Sequence, residues 1–307
     1  MERFDVIIVG AGTAGLSAAI YTVRAGKSAL VLEAASYGGQ IINTPDIENY
    51  PGIPHISGFE FATGLYNQAR DLGAEIRFEK VLSIRADGDD KTVVTAQGEY
   101  AAAAVILATG AKNRPLGLPL EQELIGKGVS YCATCDGMFY RNQTVAVNGG
   151  GNTALEDARF LAAYCRKVYI IHRRDRFRGD DKEIRRLREK DNVEFVLNAT
   201  VTALHADASG LRGIEVTDRE SGEKRELEVT GLFIAIGQEP DNAAFRELVR
   251  LDEKGYIIAD ESTKTGTDGI FTAGDCRTKA VRQLTTAAAD GAQAALAACA
   301  YIDGKGE

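Results

Sequence analysis

The 307-residue chain reads as an α/β protein with two Rossmann-like dinucleotide-binding domains, the second inserted into the first. Three observations predict this. Twice, a short β-branched run ends in a glycine-rich turn, followed by a helical stretch and a second apolar run. Ligand-type loops belonging to the first of these units occur before residue 115 and again after 245, with the second unit between them. Glycine is also over-represented, with 33 residues against 6 prolines, which fits tight turns pressed against bound ligands better than a low-complexity linker. The expected division is 1–115 with 245–307 for the first domain and 116–244 for the second.

The first unit opens with the apolar run Phe4 to Val9, which ends at Gly10-Ala11-Gly12-Thr13-Ala14-Gly15. A helix is expected to Arg24, then a strand Ala29 to Leu32 ending in Glu33. In such a unit Gly10 makes the turn, Gly12 lets backbone approach a pyrophosphate, and Gly15 lets helix pack on strand. The N–H groups at the helix start then face the anion. Glu33, 23 residues past Gly10, is placed to accept hydrogen bonds from ribose hydroxyls.

The same grammar returns at Thr144 to Val147, followed by Asn148-Gly149-Gly150-Gly151-Asn152-Thr153-Ala154 and an Ala/Leu-rich helix. The next strand, Val168 to Ile171, delivers His172-Arg173-Arg174, and His172 is again 23 residues past the first glycine of the turn, Gly149. Cations now stand where the first unit has an acid. A carboxylate repels a 2′-phosphate and guanidinium groups bind it in a bidentate fashion, so this site is expected to select NADPH, with Arg178 completing the cluster. Asp180 and Asp181, just after the cluster, would weaken that affinity. An acid-ended site beside a phosphate-selecting one implies FAD plus NADPH.

Further segments fit a flavin. Val105 to Leu107 ends in Ala108-Thr109-Gly110, and Leu232 to Ile236 ends in Gly237-Gln238-Glu239-Pro240; each strand follows its nucleotide unit and leads the chain between domains. Near the C-terminus a strand ends in Gly274-Asp275, whose carboxylate suits a ribityl chain. Arg282-Gln283-Leu284 then precede an Ala-rich helix whose positive end would stabilise a reduced, anionic flavin.

Cysteines stand at 132, 135, 165, 276 and 299, an odd and scattered set unlike a secreted disulfide framework. Only Cys132 and Cys135 are close in sequence. Zinc would need two more ligands, and His55, His172 and His205 lack ligand spacing. The C-x-x-C pair closes a small redox loop, and Asp136 beside it supplies an acid for proton return. The other three cysteines are expected to be structural. The dithiol and the second nucleotide site fall in one domain and the flavin loops in the other. The expectation is therefore that the inserted domain swings about connections near Asn113 to Gly117 and Asp241 to Ala244.

A formal charge of −8 argues against nucleic-acid or anionic-membrane partners. No apolar stretch reaches spanning length, and Met1-Glu2-Arg3 runs into a strand and glycine loop without signal-peptide pattern, so the expected location is cytoplasmic.

Gly10 to Gly15, Gly39-Gln40, Cys132 to Gly137, Gly149 to Ala154, His172 to Arg178 and Gly274-Asp275, in this order along the chain, closely resemble low-molecular-weight thioredoxin reductase. The resemblance implies a homodimeric FAD enzyme that reduces the disulfide of thioredoxin with NADPH. It also implies that Cys135 faces the flavin, that Cys132 attacks the partner disulfide, and that Gly39, Gln40, Asn49, Thr109, Gly110, Asp275 and Gln283 contact FAD. The glutathione-reductase class is less similar, since no C-x-x-x-x-C follows the first unit and no His-Pro motif ends the chain. Asn148 departs from the family's usual aliphatic residue at that strand end. The same parts could also serve a thiol oxidase passing electrons through FAD to oxygen, or a flavin-bearing redox sensor. Neither needs the His172-Arg173-Arg174 cluster.

Overall fold

The computed structural model describes residues 1–304 except Pro45, Asp87 and Asp89. The chain divides into two compact units, one formed by Met1–Lys112 together with the chain from Glu239 onward, the other by Asn113–Gln238.

In the first unit β1 (Glu2–Val9), α1 (Thr13–Arg24) and β2 (Ala29–Leu32) form the expected β-α-β unit. Val6, Ile7 and Ile8 have no exposure, because both faces of this parallel strand are covered and a continuous apolar run is required. β1 starts two residues before its apolar run. Glu2 and Arg3 continue the ladder opposite Tyr100 and Ala101, and Arg77 donates to Glu2 at 3.0 Å, which holds the polar end in register. The helix α2 (Gly58–Asp71) is followed by β3 (Glu75–Arg77), β4 (Val81–Arg85), β5 (Lys91–Thr95), β6 (Glu99–Leu107) and β7 (Ala111–Asn113). The sheet order is β3-β2-β1-β6-β5-β4. β6 is three times as long as its expected Val105–Leu107 core, because Ala101 and Ala102 pair with β1 on one side and β5 on the other. Alanine carries little strand propensity of its own, so only partner strands could extend β6 through it.

The second unit comprises β8 (Val129–Ser130), α3 (Ala133–Asp136), β9 (Thr144–Gly149), α4 (Asn152–Leu161), β10 (Lys167–Ile171), α5 (Asp181–Arg188), β11 (Val193–Val196), β12 (Ala199–Asp207), β13 (Gly210–Asp218), β14 (Lys224–Leu227) and β15 (Gly231–Ala235). An all-parallel sheet, β11-β10-β9-β15-β8, is covered on one face by α4 and α5 and on the other by the antiparallel β12-β13-β14 sheet. β9 runs through Asn148, two residues beyond the apolar run, because Asn148 pairs with Ile171 and Ile234 and is buried. β16 (Gln238–Pro240) pairs with β7, so the two connecting segments form one two-stranded ribbon. The second junction falls at Gln238/Glu239, earlier than the expected 244/245. The reason is packing: Asn242 donates to the carbonyls of Gly255 and Cys276, both at 2.9 Å, and Phe245 lies in the first unit's core.

The returning segment supplies β17 (Ile270–Thr272), which pairs with the end of β6, and α6 (Leu284–Asp303), which crosses α1. At the crossing, a Cβ on Gly291 would stand 2.1 Å from the Ala14 carbonyl oxygen, and Ser17 Oγ donates to the Ala288 carbonyl at 2.7 Å. In an exposed helix, replacing glycine by alanine gains about 1 kcal/mol. Here the added methyl meets backbone that cannot yield, so Gly291→Ala is expected to destabilise the protein by roughly 1–3 kcal/mol instead. A lower urea midpoint with unchanged slope checks this, and a raised midpoint refutes it.

Candidate active site

The first site lies at the C-terminal ends of β1, β2, β6 and β17. A Cβ on Gly10 would meet the Ala108 carbonyl oxygen at 2.4 Å, and one on Gly15 the Gly10 carbonyl oxygen at 1.8 Å, whereas one on Gly12 would meet nothing within 4 Å. The turn therefore packs on its flanks and is open at its centre. α1 starts on Gly12 with no side-chain cap and no acid in its first turn. By contrast α2 is closed by a capping box, in which Glu60 N–H donates to Ser57 Oγ and Ser57 N–H to Glu60 Oε2. The first-turn N–H groups of α1 are thus left for an external anion.

Glu33 and Gly39 border this opening. Glu33 accepts from Ala11 N–H at 2.8 Å and Ala35 N–H at 3.0 Å, one bond to each oxygen. A carboxylate has about four acceptor positions, so two are left for hydroxyls. Gly38 N–H donates to the Ala11 carbonyl, which seats Gly39, at φ 64°, 3.6 Å from Gly12 as measured from the position of its Cβ. Gln40 donates to the Ala111 carbonyl and Thr109 to Asn242 Oδ1, while Gly110, at φ 69°, borders open space. Asn49 donates to Gln283 Oε1 at 3.2 Å, and Gln283 caps α6 through a box with Thr286. Asp275 Oδ1 is buried without a partner, and burial raises its carboxyl pKa against the pull of Lys279 and Arg282. An orphaned buried acceptor beside an open, uncapped glycine turn fits a dinucleotide whose polyol chain donates hydrogen bonds.

Sequence reading missed what holds that acid in place. Asp290 Oδ2 accepts from Gly274 N–H at 2.9 Å, from Arg277 Nε at 2.8 Å and from Lys279 Nζ at 2.9 Å. Burial alone would raise the Asp290 carboxyl pKa, but the two cations outweigh it and hold it below the usual range. The available signal was a lone acid in the Ala-rich run Ala287 to Ala295.

The second site repeats the first. A Cβ on Gly149 would meet the Ala235 carbonyl oxygen at 2.4 Å and Ala154 Cβ at 2.7 Å, while Gly151 is open. Ala154, wholly buried, fills the role of the third glycine. α4 starts on Gly151, uncapped and without a first-turn acid; Asn152 and Thr153 are its first two residues. Arg173, Arg174 and Arg178 are exposed, but His172 is turned inward at 5% exposure. Its ring occupies the space that a Cβ on Gly150 would need, stacks on Phe177 at 5.0 Å, and meets the Arg176 carbonyl at 3.1 Å through Nε2. Burial lowers its pKa, and Arg178, Arg174 and Arg173 add to that. His172 is thus the floor of the glycine turn, in contrast to the three exposed arginines. The acids after the cluster serve the next helix. Asp180 caps α5 by accepting from Lys182 N–H at 2.7 Å, and Asp181 lies in its first turn.

Cys132 and Cys135 form a disulfide with Cα atoms 5.3 Å apart, at the start of the single-turn α3. Ser130 couples the pair to its acid. The Ser130 hydroxyl donates to Asp136 Oδ2 at 2.6 Å and accepts from Cys132 N–H at 3.0 Å. Asp136 Oδ1 is buried without a partner, and burial raises the carboxyl pKa, partly offset by Ser130. Ser130 was not foreseen, since a serine two residues before a cysteine carries no signal. Cys165, Cys276 and Cys299 are buried free thiols, and burial pushes Cys165 up to about 11, far from thiolate at neutral pH.

Comparison with known proteins gives the family. The pyridine nucleotide-disulphide oxidoreductase family model matches residues 4–291. The chain is 44% identical over 295 residues to the bifunctional thioredoxin reductase/thioredoxin of Mycobacterium leprae, covering 95% of this chain and 64% of that protein's length. It is 40% identical over 300 residues to the thioredoxin reductase of Listeria monocytogenes, covering 98% and 94% of the two chains. The crystal structure of thioredoxin reductase from Streptococcus pyogenes superposes with a TM-score of 0.94 at 38% identity, over 98% of this chain and 99% of that one. With two glycine turns flanking a C-x-x-C pair and similarity along nearly the whole length, this chain belongs to the pyridine nucleotide-disulphide oxidoreductase family and, within it, to the thioredoxin reductases.

Proposed function

We propose that the protein is an NADPH-dependent, FAD-containing reductase of thioredoxin or a thioredoxin-like protein. The observation that carries this reading is the Cys132–Cys135 disulfide joined through Ser130 to an acid with a buried, unpartnered oxygen, in the same unit as a glycine turn bordered by exposed arginines. Gly10, Gly12 and Gly15 with the α1 terminus would hold the FAD pyrophosphate, Glu33 its ribose, and Gly39, Gln40, Asn49, Thr109, Gly110, Gly274, Asp275 and Gln283 the rest of the molecule. Gly149, Gly151, Asn152, Thr153 and Ala154 would hold the NADPH pyrophosphate, and Arg173, Arg174 and Arg178, over His172, its 2′-phosphate. FAD supplies the two-electron relay between the nucleotide and the disulfide.

The chain's own residues do the rest. Two electrons break the Cys132–Cys135 bond, and Asp136 in its acid form gives a proton to one of the leaving sulfurs. The Cys132 thiolate then attacks the partner's disulfide and expels one thiolate, which is protonated. Cys135 attacks Cys132 in the mixed disulfide, releasing the second partner thiol and restoring the intramolecular bond. Met138 and Phe139, 46% and 43% exposed, offer apolar surface beside the pair for a protein substrate. By likeness to the family, the proposal extends to a homodimer in the cytoplasm. No helix among the described residues is long and apolar enough to cross a membrane. Because Asn113–Gln238 carries both the nucleotide turn and the disulfide, the reading includes rotation of that unit about the β7–β16 ribbon between half-reactions.

Three outcomes test the proposal. Under anaerobic conditions NADPH is expected to bleach the flavin, NADH much less so; Cys132→Ser and Cys135→Ser keep the bleaching and lose disulfide reduction. Full thioredoxin turnover in either variant refutes the assignment. Asp136→Asn is expected to lower the thiol–disulfide steps by about a hundredfold or more, the usual size of general-acid catalysis. In the native enzyme those steps should slow as pH rises through the raised Asp136 pKa, because the acid form is lost there, and the variant's profile should be flat. Finally, a crosslink joining the two units should leave one half-reaction intact and stop turnover; a locked protein that turns over fully excludes the rotation.

A further inference from the structure

The basic segment after β10 is held from outside by a part of the chain that no nucleotide-binding pattern includes. Three successive carbonyls are gripped in turn: His172 by Ala199 N–H at 3.1 Å, Arg173 by Arg219 Nη1 at 3.1 Å, and Arg174 by Asn198 N–H at 3.3 Å. Arg219 lies in the turn between β13 and β14, more than forty residues away in sequence. That turn is itself ordered. Asp218 Oδ1 accepts from Glu220 N–H at 2.9 Å and Ser221 N–H at 2.8 Å, and Arg219 N–H donates to the Asn198 carbonyl at 2.7 Å. At the far end the segment is latched to the second glycine turn. Arg178 N–H donates to the Gly150 carbonyl at 2.8 Å and Asp180 N–H to Asn152 Oδ1 at 2.9 Å, and a Cβ on Gly179 would stand 2.5 Å from Leu155 Cδ1.

A segment fixed at both ends presents its cations at set positions. The clamp at its first end is itself a guanidinium: one of its five N–H donors is used on the Arg173 carbonyl, and the side chain is exposed. Within the segment, Arg176 stands 3.9 Å from the Asp175 carboxylate and lends its carbonyl to His172, so its charge is partly matched locally. Arg219 adds a full positive charge at the backbone of the residue expected to meet a phosphate.

We propose that Arg219 is a specificity-determining residue for the nicotinamide nucleotide. It completes a four-arginine cluster with Arg173, Arg174 and Arg178 that selects a 2′-phosphorylated adenosine over an unphosphorylated one. The inference rests on the NADPH reading above and extends it to a residue on a separate hairpin. A phosphate monoester carries about −1.5 to −2 charges at neutral pH, so a guanidinium added at the sugar end acts far more strongly on the 2′-phosphorylated nucleotide than on the diol form, whose anionic groups lie at the other end of the ribose.

The test compares the holoenzyme with Arg219→Gln, which keeps a neutral amide and removes the charge, and with Arg219→Lys, which keeps the charge and loses the planar fork. Calorimetry measures binding of adenosine 2′,5′-bisphosphate and of AMP, and steady-state kinetics give KM for NADPH and NADH. Arg219→Gln is expected to raise the bisphosphate Kd and the NADPH KM about five- to tenfold, the size of one exposed charge-assisted contact. AMP binding and the NADH KM should stay within about twofold, and the salt dependence of NADPH binding should become shallower. Arg219→Lys should fall between native and Gln. Native-like behaviour of Arg219→Gln, or equal weakening of both nucleotide pairs, overturns the proposal and leaves Arg219 with a purely structural role. A native enzyme that binds bisphosphate and AMP equally overturns the NADPH reading itself, a separate outcome visible before any variant is made.

Discussion

The crossing of α6 over α1 at Gly291 is the contact on which the first unit depends. The domain is made of two stretches of chain with a whole second unit between them, so its integrity requires that the C-terminal stretch return to one exact place. Gly291 allows two backbones to meet where any side chain would separate them. Once α6 lies there, β17 falls in register beside β6, and Asp290, the residue before the contact, reaches the Gly274 N–H. A carboxylate buried this deeply would be strongly unfavourable alone; Arg277 and Lys279 make it tolerable, and removing a partner from such a group is far more costly than its net worth suggests. The charge network therefore positions the turn carrying Asp275 more than it stabilises the fold.

A second constraint is shared by both units. Helices α1 and α4 begin on glycine with nothing capping them, whereas α2 and α5 are capped by their own side chains. Leaving a helix start unsatisfied costs stability, a cost that an anion bound there would offset. The difference between the units lies at the sugar end. Glu33 is already bonded to two backbone N–H groups, which orients its remaining lone pairs, and in the second unit the segment carrying Arg173, Arg174 and Arg178 is held by bonds to its backbone.

The disulfide of the second unit has a hydrogen-bonded surround of its own. Cys132, Ser130 and Asp136 form a short hydrogen-bonded chain in which the same hydroxyl touches the backbone of one redox cysteine and the carboxyl of the acid. Burial keeps that acid protonated to higher pH, which suits the proton donor proposed above, and burial likewise raises the pKa of the Cys165 and Cys299 thiols.

Much of this was legible in the residues because it is local. A glycine turn between an apolar strand and a helix, an acid or a pair of arginines some 23 residues on, and two cysteines three apart are each set by the geometry of a few consecutive residues, and they predicted both units and the dithiol. What only the tertiary structure decided was long-range. The length of β6 came from its neighbours, the second junction from where Asn242 and Phe245 pack, the inward turn of His172 from the missing Cβ of Gly150, and the contacts of Ser130, Arg219 and Asp290 from partners that folding brings near. Periodicity and spacing report the conformation a segment prefers; they carry no information about which distant backbone will need its hydrogen bond or its charge answered, because that depends on packing that exists only in the folded chain.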